Sequence, residues 1–202
     1  MKPKILLADD HSIIRNGLKL YVQFNLGHAD VAEVSTCNGL MNELIKNRYT
    51  HLVLDIILSD GSTLEVIPNI KILYPNLQIM IFSMQPTEVY GAALKQYGIN
   101  YYLSKTCGED EILQMLHQFI SNEDLPLQHS AVVKDNPFSA LAPRELEILH
   151  YVLKGIGTKD IADNLNLKMN TISTIKNRIY EKTNAGNIKE LMELATLYSV
   201  NY

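Results

Sequence analysis

Along the first 121 residues, short apolar runs that stop at a polar or acidic side chain alternate with longer segments of helical period. Lys4–Ala8 runs into Asp9-Asp10, after which Ile13, Ile14, Leu18, Tyr21 and Val22 recur at helical spacing. Val31–Val34 predicts a second strand, and Leu40, Leu44 and Ile45 mark a short helix. His51–Leu54, closed by Asp55, reads as a buried third strand. A polar turn, Ser59-Asp60-Gly61-Ser62, then leads to a helix carrying Leu64, Ile67, Ile70 and Leu73. Leu77–Phe82 predicts a fourth strand, 87–97 a fourth helix, Asn100–Leu103 a fifth strand and 109–121 a fifth helix. The strands lack the in-and-out alternation of a half-exposed sheet. Five βα units in series therefore predict an α/β fold, a doubly wound five-stranded parallel sheet with helices on both faces.

The pattern changes after residue 121. Residues 122–138 contain two prolines and many polar groups and read as an interdomain linker, with a short strand possible only at Ala131–Val133. From 139 to 202 the period is purely helical, which predicts a second, all-α four-helix domain. Residues 1–121 carry 9 basic and 12 acidic side chains, whereas residues 139–202 carry 8 and 7, net +1. The whole chain, at net -4, is no basic nucleic-acid coat, but a local binding surface on the helical tail is compatible with these charges.

With 47% hydrophobic and 20% charged residues, the composition is that of ordered globular protein. No apolar run is long enough for a membrane span or a signal-peptide core, so a cytoplasmic protein is expected. Cys37 and Cys107 show no metal-ligand spacing and read as reduced thiols. No glycine-rich phosphate loop of the G-x-x-x-x-G-K-[ST] type is present.

Ligands of parallel α/β sheets gather at the carboxyl ends of the strands. Asp9 and Asp10 close the first strand, Asp55 the third, Ser83 follows the fourth and Lys105 the fifth. Each carboxylate alone could be a helix cap or a solvated loop residue, but their coincidence with successive strand ends argues for one cleft. Three carboxylates together repel one another unless a cation intervenes, and a hard divalent ion, Mg2+ by preference, suits oxygen ligands. Such a cleft fits an incoming phosphoryl group: Asp55 as nucleophile, Lys105 as balancing charge and Ser83 as hydroxyl donor.

The motifs LLADDH, LVLDI, Ser83 and YYLSK stand where the receiver domain of two-component response regulators has its functional residues, and residues 1–121 resemble that domain throughout. The resemblance implies that Asp55 accepts a phosphoryl group from a sensor histidine kinase. It implies Mg2+ binding by Asp9, Asp10, Asp55 and the backbone carbonyl of Ile57, with Ser83 and Lys105 contacting the phosphoryl group. Ser83 and Tyr102 match the switch residues; Tyr101 should face the other side of the sheet. The chemistry so implied is self-phosphorylation and autodephosphorylation at Asp55, without turnover of an external substrate. The chain departs from the family's pattern at Ser59, usually proline, at Thr63, usually glycine, and at Thr106, which takes the place of a proline after Lys105.

In the tail, Leu141-Ala142-Pro143-Arg144-Glu145 opens a helix with Leu146, Ile148, Leu149 and Val152 on its core side. Gly155 ends it, Gly157-Thr158 opens the next with Thr158 as cap, and a third helix carries Ile172, Ile175 and Ile179 on one face. This is a helix-turn-helix pattern whose last helix has a polar outer face suited to a DNA major groove. A small helical bundle with a solvated, weakly basic face is the alternative that the pattern alone leaves open. The runs LAPRELEIL, GIGTKDIADNLNL and NTISTIKNRIYEKT resemble the LuxR-type helix-turn-helix domain of the NarL/FixJ subfamily. That resemblance places Lys159 against the DNA backbone and makes Thr171 a cap of the recognition helix close to a phosphate. Ser173, Thr174 and Asn177 become base-edge contacts, and Lys176, Arg178 and Lys182 phosphate contacts. Glu145 should support the domain core, while Ala142 loses the family's usual threonine cap and Thr183 replaces a packing leucine. The last helix, 188–198, is a candidate dimerisation element.

These observations together predict a phosphorylation-controlled transcriptional regulator that binds double-stranded DNA, as a homodimer when activated. Three other readings use the same residues: a phosphorylation-independent DNA-binding regulator with a degraded receiver, a small phosphatase or phosphotransfer enzyme using the same Asp-Mg2+ chemistry, and a protein-interaction module.

Overall fold

In a computed structural model that describes residues 2–27, 30–122 and 136–200, the chain forms two compact units. The first is built on five parallel strands: β1 (Ile5–Ala8), β2 (Val31–Val34), β3 (His51–Leu54), β6 (Gln78–Ser83) and β7 (Tyr101–Ser104). Their order is β2-β1-β3-β6-β7. The helices of residues 2–122 are α1 (Ser12–Phe24), α2 (Cys37–Lys46), α3 (Ile67–Leu73), α4 (Thr87–Lys95) and α5 (Glu109–Ser121). The chain steps one way from β1 to β2 and the other way through β3, β6 and β7. With right-handed crossovers, α1 therefore lies on the face opposite α2 and α3. The predicted doubly wound parallel sheet is the observed one.

The α1 face is closed by one cluster: Ile5, Leu7, Val53, Met80, Phe82 and Leu103 from the strands, Leu18 and Val22 from α1, and Met115, Leu116, Phe119 and Ile120 from α5. Leu6, Leu52, Leu54, Ile79 and Ile81 alternate with these residues, point to the other face by strand period, and are buried as well. Burial on both faces is why the strands read as continuous apolar runs. Tyr101 packs edge-on against Phe119, with ring centroids 5.0 Å apart, so Tyr102 projects from the opposite face.

Several boundaries differ from the sequence reading. β6 and β7 each begin and end one residue later, so Ser83 is the last residue of its strand rather than the one after it. The third helix is split into a 3-10 turn at Thr63–Glu65 and α3, with Pro68 in the first turn of α3, where its missing N–H costs no hydrogen bond. The fourth helix stops at Lys95, just before Gly98 takes the left-handed φ of +72°. A two-stranded hairpin, β4 (Ile57–Leu58) with β5 (Gly61–Ser62), occupies the loop after Asp55, and Gly61 at φ +150° turns it.

The second unit opens with a 3-10 turn at Pro137–Ala140, capped by Asn136 Oδ1 accepting from the Phe138 N–H at 3.0 Å. Phe138 is fully buried and meets the Tyr198 ring edge-on. Four helices follow: α6 (Pro143–Leu153), α7 (Thr158–Asn164), α8 (Met169–Thr183) and α9 (Ile188–Leu197). Leu146, Leu149, Ile161, Ile172, Ile179, Leu191 and Ala195 are buried.

The two predicted threonine caps do not form. α7 starts one residue before the expected start, with Gly157 as N-cap and Thr158 as its first helical residue. α8 starts at Met169 after Lys168, which puts Thr171 inside the first turn. Ala142, unable to accept a hydrogen bond, still receives half of a capping box, because Glu145 Oε2 accepts its backbone N–H at 2.8 Å. Thr183 is buried with its hydroxyl donating to the Ile179 carbonyl at 2.7 Å, so the site expected to hold leucine is filled without an orphaned polar group. Asn184 closes α8 in the left-handed conformation at φ +54°. The predicted strand at Ala131–Val133 lies outside the described residues.

Candidate active site and nucleic-acid interface

Strand register assembles the first site. Ala8 pairs with Leu54 and Leu54 with Ile81, which brings Asp9, Asp55 and Ser83 to one edge of the sheet. The Lys105 N–H donates to the Ser83 carbonyl at 2.9 Å and sets Lys105 beside them. Asp55 is 4% exposed. Its Oδ1 accepts from Ser83 Oγ at 2.6 Å and its Oδ2 from Lys105 Nζ at 2.5 Å. The same Nζ lies 2.6 Å from Asp9 Oδ2. Burial pushes the Asp55 carboxyl above its ordinary range, and Lys105 and the Ser83 hydroxyl offset part of that shift.

The β1–α1 turn is held from below. The His11 N–H donates to Asp9 Oδ1 at 2.9 Å, and Arg15 donates to the Asp9 carbonyl at 2.5 Å while its Nε lies 3.7 Å from Glu33. Asp10 is half-buried, with Oδ1 2.8 Å from His11 Nδ1. One carboxylate oxygen each from Asp9, Asp10 and Asp55, together with a ring nitrogen of His11, lie within 4.8 Å of one another. These donors fit a divalent cation. His11 was not identified from sequence, because a lone histidine after two aspartates is indistinguishable there from an ordinary helix-start residue.

All the phosphoryl-site residues read from the sequence, Asp9, Asp10, Asp55, Ser83 and Lys105, converge here. Ile57 is beside them, with its N–H 3.4 Å from Asp55 Oδ1. Tyr102 is half-buried on β7, two positions from the site's edge.

The departures from the family pattern are built into this loop. Thr63 is fully buried, and its Oγ1 lies 2.8 Å from the Asp55 carbonyl and 3.1 Å from that of Ile56. Ser59 Oγ donates to the Ser35 carbonyl at 3.0 Å. Asp60 accepts from the Cys37 and Asn38 N–H groups at the start of α2, at 2.5 and 3.0 Å. Burial alone would raise the Asp60 carboxyl, but these N–H groups hold it below its ordinary range. The Thr106 N–H, which proline would lack, donates to Ser104 Oγ at 3.2 Å.

In the helical unit, Lys159, Thr171, Ser173, Thr174, Asn177 and Arg178 are exposed. Lys176 reaches Thr158 Oγ1 at 3.2 Å. Lys182 Nζ lies 2.7 Å from Glu145 Oε2 and 3.2 Å from the Ala140 carbonyl, tying α8 to α6 and the 3-10 turn. Among the described residues, no helix is long and apolar enough to cross a membrane.

An α/β domain with carboxylates, a lysine and a hydroxyl gathered at its strand ends, followed in the same chain by a helix-turn-helix unit, is the architecture of a receiver domain joined to a DNA-binding domain. Residues 5–117 match the response regulator receiver domain, and residues 139–195 match the bacterial regulatory proteins of the luxR family. The chain belongs to the response regulators, as a two-component transcriptional regulator of the NarL/FixJ type. It is 28% identical over 208 residues to the oxygen regulatory protein NreC of Staphylococcus haemolyticus, covering 95% of this chain and 96% of that protein. NreC of Staphylococcus aureus is 26% identical over 212 residues, with the same coverage. The fold is shared with RcsB of Salmonella enterica serovar Typhimurium bound to promoter rprA in the presence of the phosphomimetic BeF3-. That likeness has a TM-score of 0.81 and 23% identity, covering 96% of this chain and 98% of that one.

Proposed function

We propose that phosphoryl transfer from a sensor histidine kinase to Asp55 controls DNA binding by the helical domain. The observation that carries this reading is the paired grip on Asp55, with Ser83 Oγ on one carboxylate oxygen and Lys105 Nζ on the other. In the transfer, an Asp55 carboxylate oxygen forms the new O–P bond as the N–P bond to the donor histidine breaks, and the imidazole leaves with the electron pair. Ser83 and Lys105 already hold the two oxygens of the accepting carboxylate. They exchange a carboxylate partner for a phosphoryl partner with little movement.

Asp9, Asp10, Asp55 and the Ile57 carbonyl would hold Mg2+ in this reading, and the donor set supports an ion of that type. When bound, Mg2+ supplies positive charge against the phosphoryl oxygens. Hydrolysis of the acyl phosphate at Asp55 resets the site, so the chain's own chemistry is confined to gaining and losing that group. Relocation of Ser83 and Tyr102 toward the loaded site changes the surface around β7 and biases a two-state domain arrangement. The domains are assigned as 1–121, 122–138 and 139–202, with the 188–198 helix pairing two activated copies on DNA. Lys159, Thr171, Ser173, Thr174, Lys176, Asn177 and Arg178 face the duplex, and the protein works in the cytoplasm beside kinase and DNA. Lys182 is left to its structural contact with Glu145.

The test is a titration of duplex genomic fragments with purified protein, with and without beryllofluoride and Mg2+, beside an Asp55→Asn control. Tighter sequence-selective binding by activated wild type alone is expected. Equal binding in every condition would make the chain a phosphorylation-independent regulator.

A further inference from the structure

The outward side of α8 has a specific chemistry. At 3.6 residues per turn, the side opposite the buried Ile172 and Ile179 is centred on Asn170, Thr174 and Asn177, which follow one another at i, i+4 and i+7. All three are exposed. None is charged. Arg178 and Thr171 lie along one flank of this stripe, and Ser173 and Lys176 along the other.

Thr174 has already used its one hydroxyl proton. Its Oγ1 donates to the Asn170 carbonyl at 2.8 Å, one helical turn back. A threonine in this rotamer has no hydrogen-bond donor left for a base edge and presents its γ-methyl instead. The centre of the reading face is therefore amide, methyl, amide. In the major groove a carboxamide pairs in bidentate fashion with adenine N7 and N6, and the methyl complement is the thymine 5-methyl group. Arg178, whose guanidinium is the group that most often reads guanine, lies on the flank.

We propose that α8 reads A·T base pairs at the core of its half-site, with Asn170 and Asn177 on adenines and the Thr174 methyl against a thymine 5-methyl. This rests on the DNA-binding reading above and adds which bases are recognised and by which group. Asn170 was outside the base-reading set taken from the sequence; the i, i+4 bond to Thr174 brings it in.

The experiment begins with selection from a random duplex pool by the full-length protein in beryllofluoride and Mg2+. Each core thymine of the enriched site is then replaced by uracil, which removes only the 5-methyl group. Uracil at one position should weaken wild-type binding about fourfold, the value of one buried methyl. Thr174→Val, which keeps the methyl and loses the hydroxyl, should remain sensitive to uracil. Thr174→Ser should bind weakly and be indifferent to uracil. Asn177→Ala should lose at least tenfold of the preference for adenine over guanine at its position. The opposite pattern, with Thr174→Ser intact and Thr174→Val defective, would show the hydroxyl to be the reader and overturn the proposal. So would a G·C core, or uracil indifference of the wild type. Failure to enrich any sequence would instead sink the DNA-binding reading itself.

Discussion

Lys105 Nζ lies 2.5 Å from Asp55 Oδ2 and 2.6 Å from Asp9 Oδ2, so a single buried ammonium bridges two buried carboxylates. Removing the ammonium leaves two carboxylates uncompensated in a poorly solvated site. Lys105→Ala should lower stability by about 3 kcal/mol in EDTA, measured by urea unfolding. Mg2+ should restore more stability to this variant than it adds to wild type, because a cation then replaces the lost ammonium between the same oxygens. Equal Mg2+ responses would contradict the placement of the ion among these carboxylates.

The raised Asp55 carboxyl has a pH consequence. Its shift comes first from burial, with Lys105 and Ser83 opposing it. A carboxyl whose folded-state value is raised binds its proton more readily in the folded than in the unfolded state. It therefore costs stability above the raised value and none below the ordinary carboxylate range. Asp55→Asn should melt higher than wild type at pH 7 in EDTA, and the difference should shrink to nothing as pH falls below the ordinary carboxylate value. A difference that grew on acidification would reverse the sign assigned here.

Thr63 occupies a position where the family usually has glycine, yet its hydroxyl is a fastening of the phosphoacceptor loop, 2.8 Å from the Asp55 carbonyl. Thr63→Val should cost about 1–2 kcal/mol, since a buried carbonyl loses its donor. Thr63→Ser should recover most of that loss. Thr63→Gly should be worse than either, although it restores the family's residue, because it also adds backbone freedom to the unfolded chain.

What could be read from residues alone was what leaves a one-dimensional trace. β1, β3 and β6 are apolar runs buried on both faces and closed by polar groups, so their existence and the convergence of Asp9, Asp55, Ser83 and Lys105 followed from spacing. The β4–β5 hairpin has two residues per strand, too few to show any period. The division of the third helix into a 3-10 turn and α3 was not legible either, because leucine and isoleucine spacing carries no record of where the first turn starts. Thr158 was expected as a cap on residue type and Thr171 from the resemblance, but α7 and α8 begin after Gly157 and Lys168, neither of which has a side chain that accepts. His11 and Lys182 depended on through-space partners, Asp10 in one case and Glu145, 37 residues away, in the other.

Ala142 is the N-cap of α6 at φ -72°, ψ 159°, an extended conformation that serine adopts without strain. Only the Glu145 half of the capping box exists there. Ala142→Ser should supply the missing acceptor for the first-turn N–H groups and raise stability by about 1 kcal/mol, seen as a higher urea midpoint with an unchanged denaturant slope.

Lys182 and Arg178 are both basic residues of α8, but they carry different loads. Lys182 is engaged with Glu145 and the Ala140 carbonyl, its side chain 39% exposed, whereas Arg178 is exposed on the flank of the reading face. Solvent screens the Lys182 pair, so Lys182→Ala should cost only about 1 kcal/mol of stability. It should leave the dependence of DNA affinity on salt concentration as it was. Arg178→Ala should do the reverse: stability within about 0.5 kcal/mol of wild type, and a log–log salt slope smaller by about 1 as one phosphate contact is lost. Thermal or urea unfolding and a salt titration of DNA affinity on the same two variants separate the roles. A salt slope reduced by Lys182→Ala would return that lysine to the phosphate-contacting set.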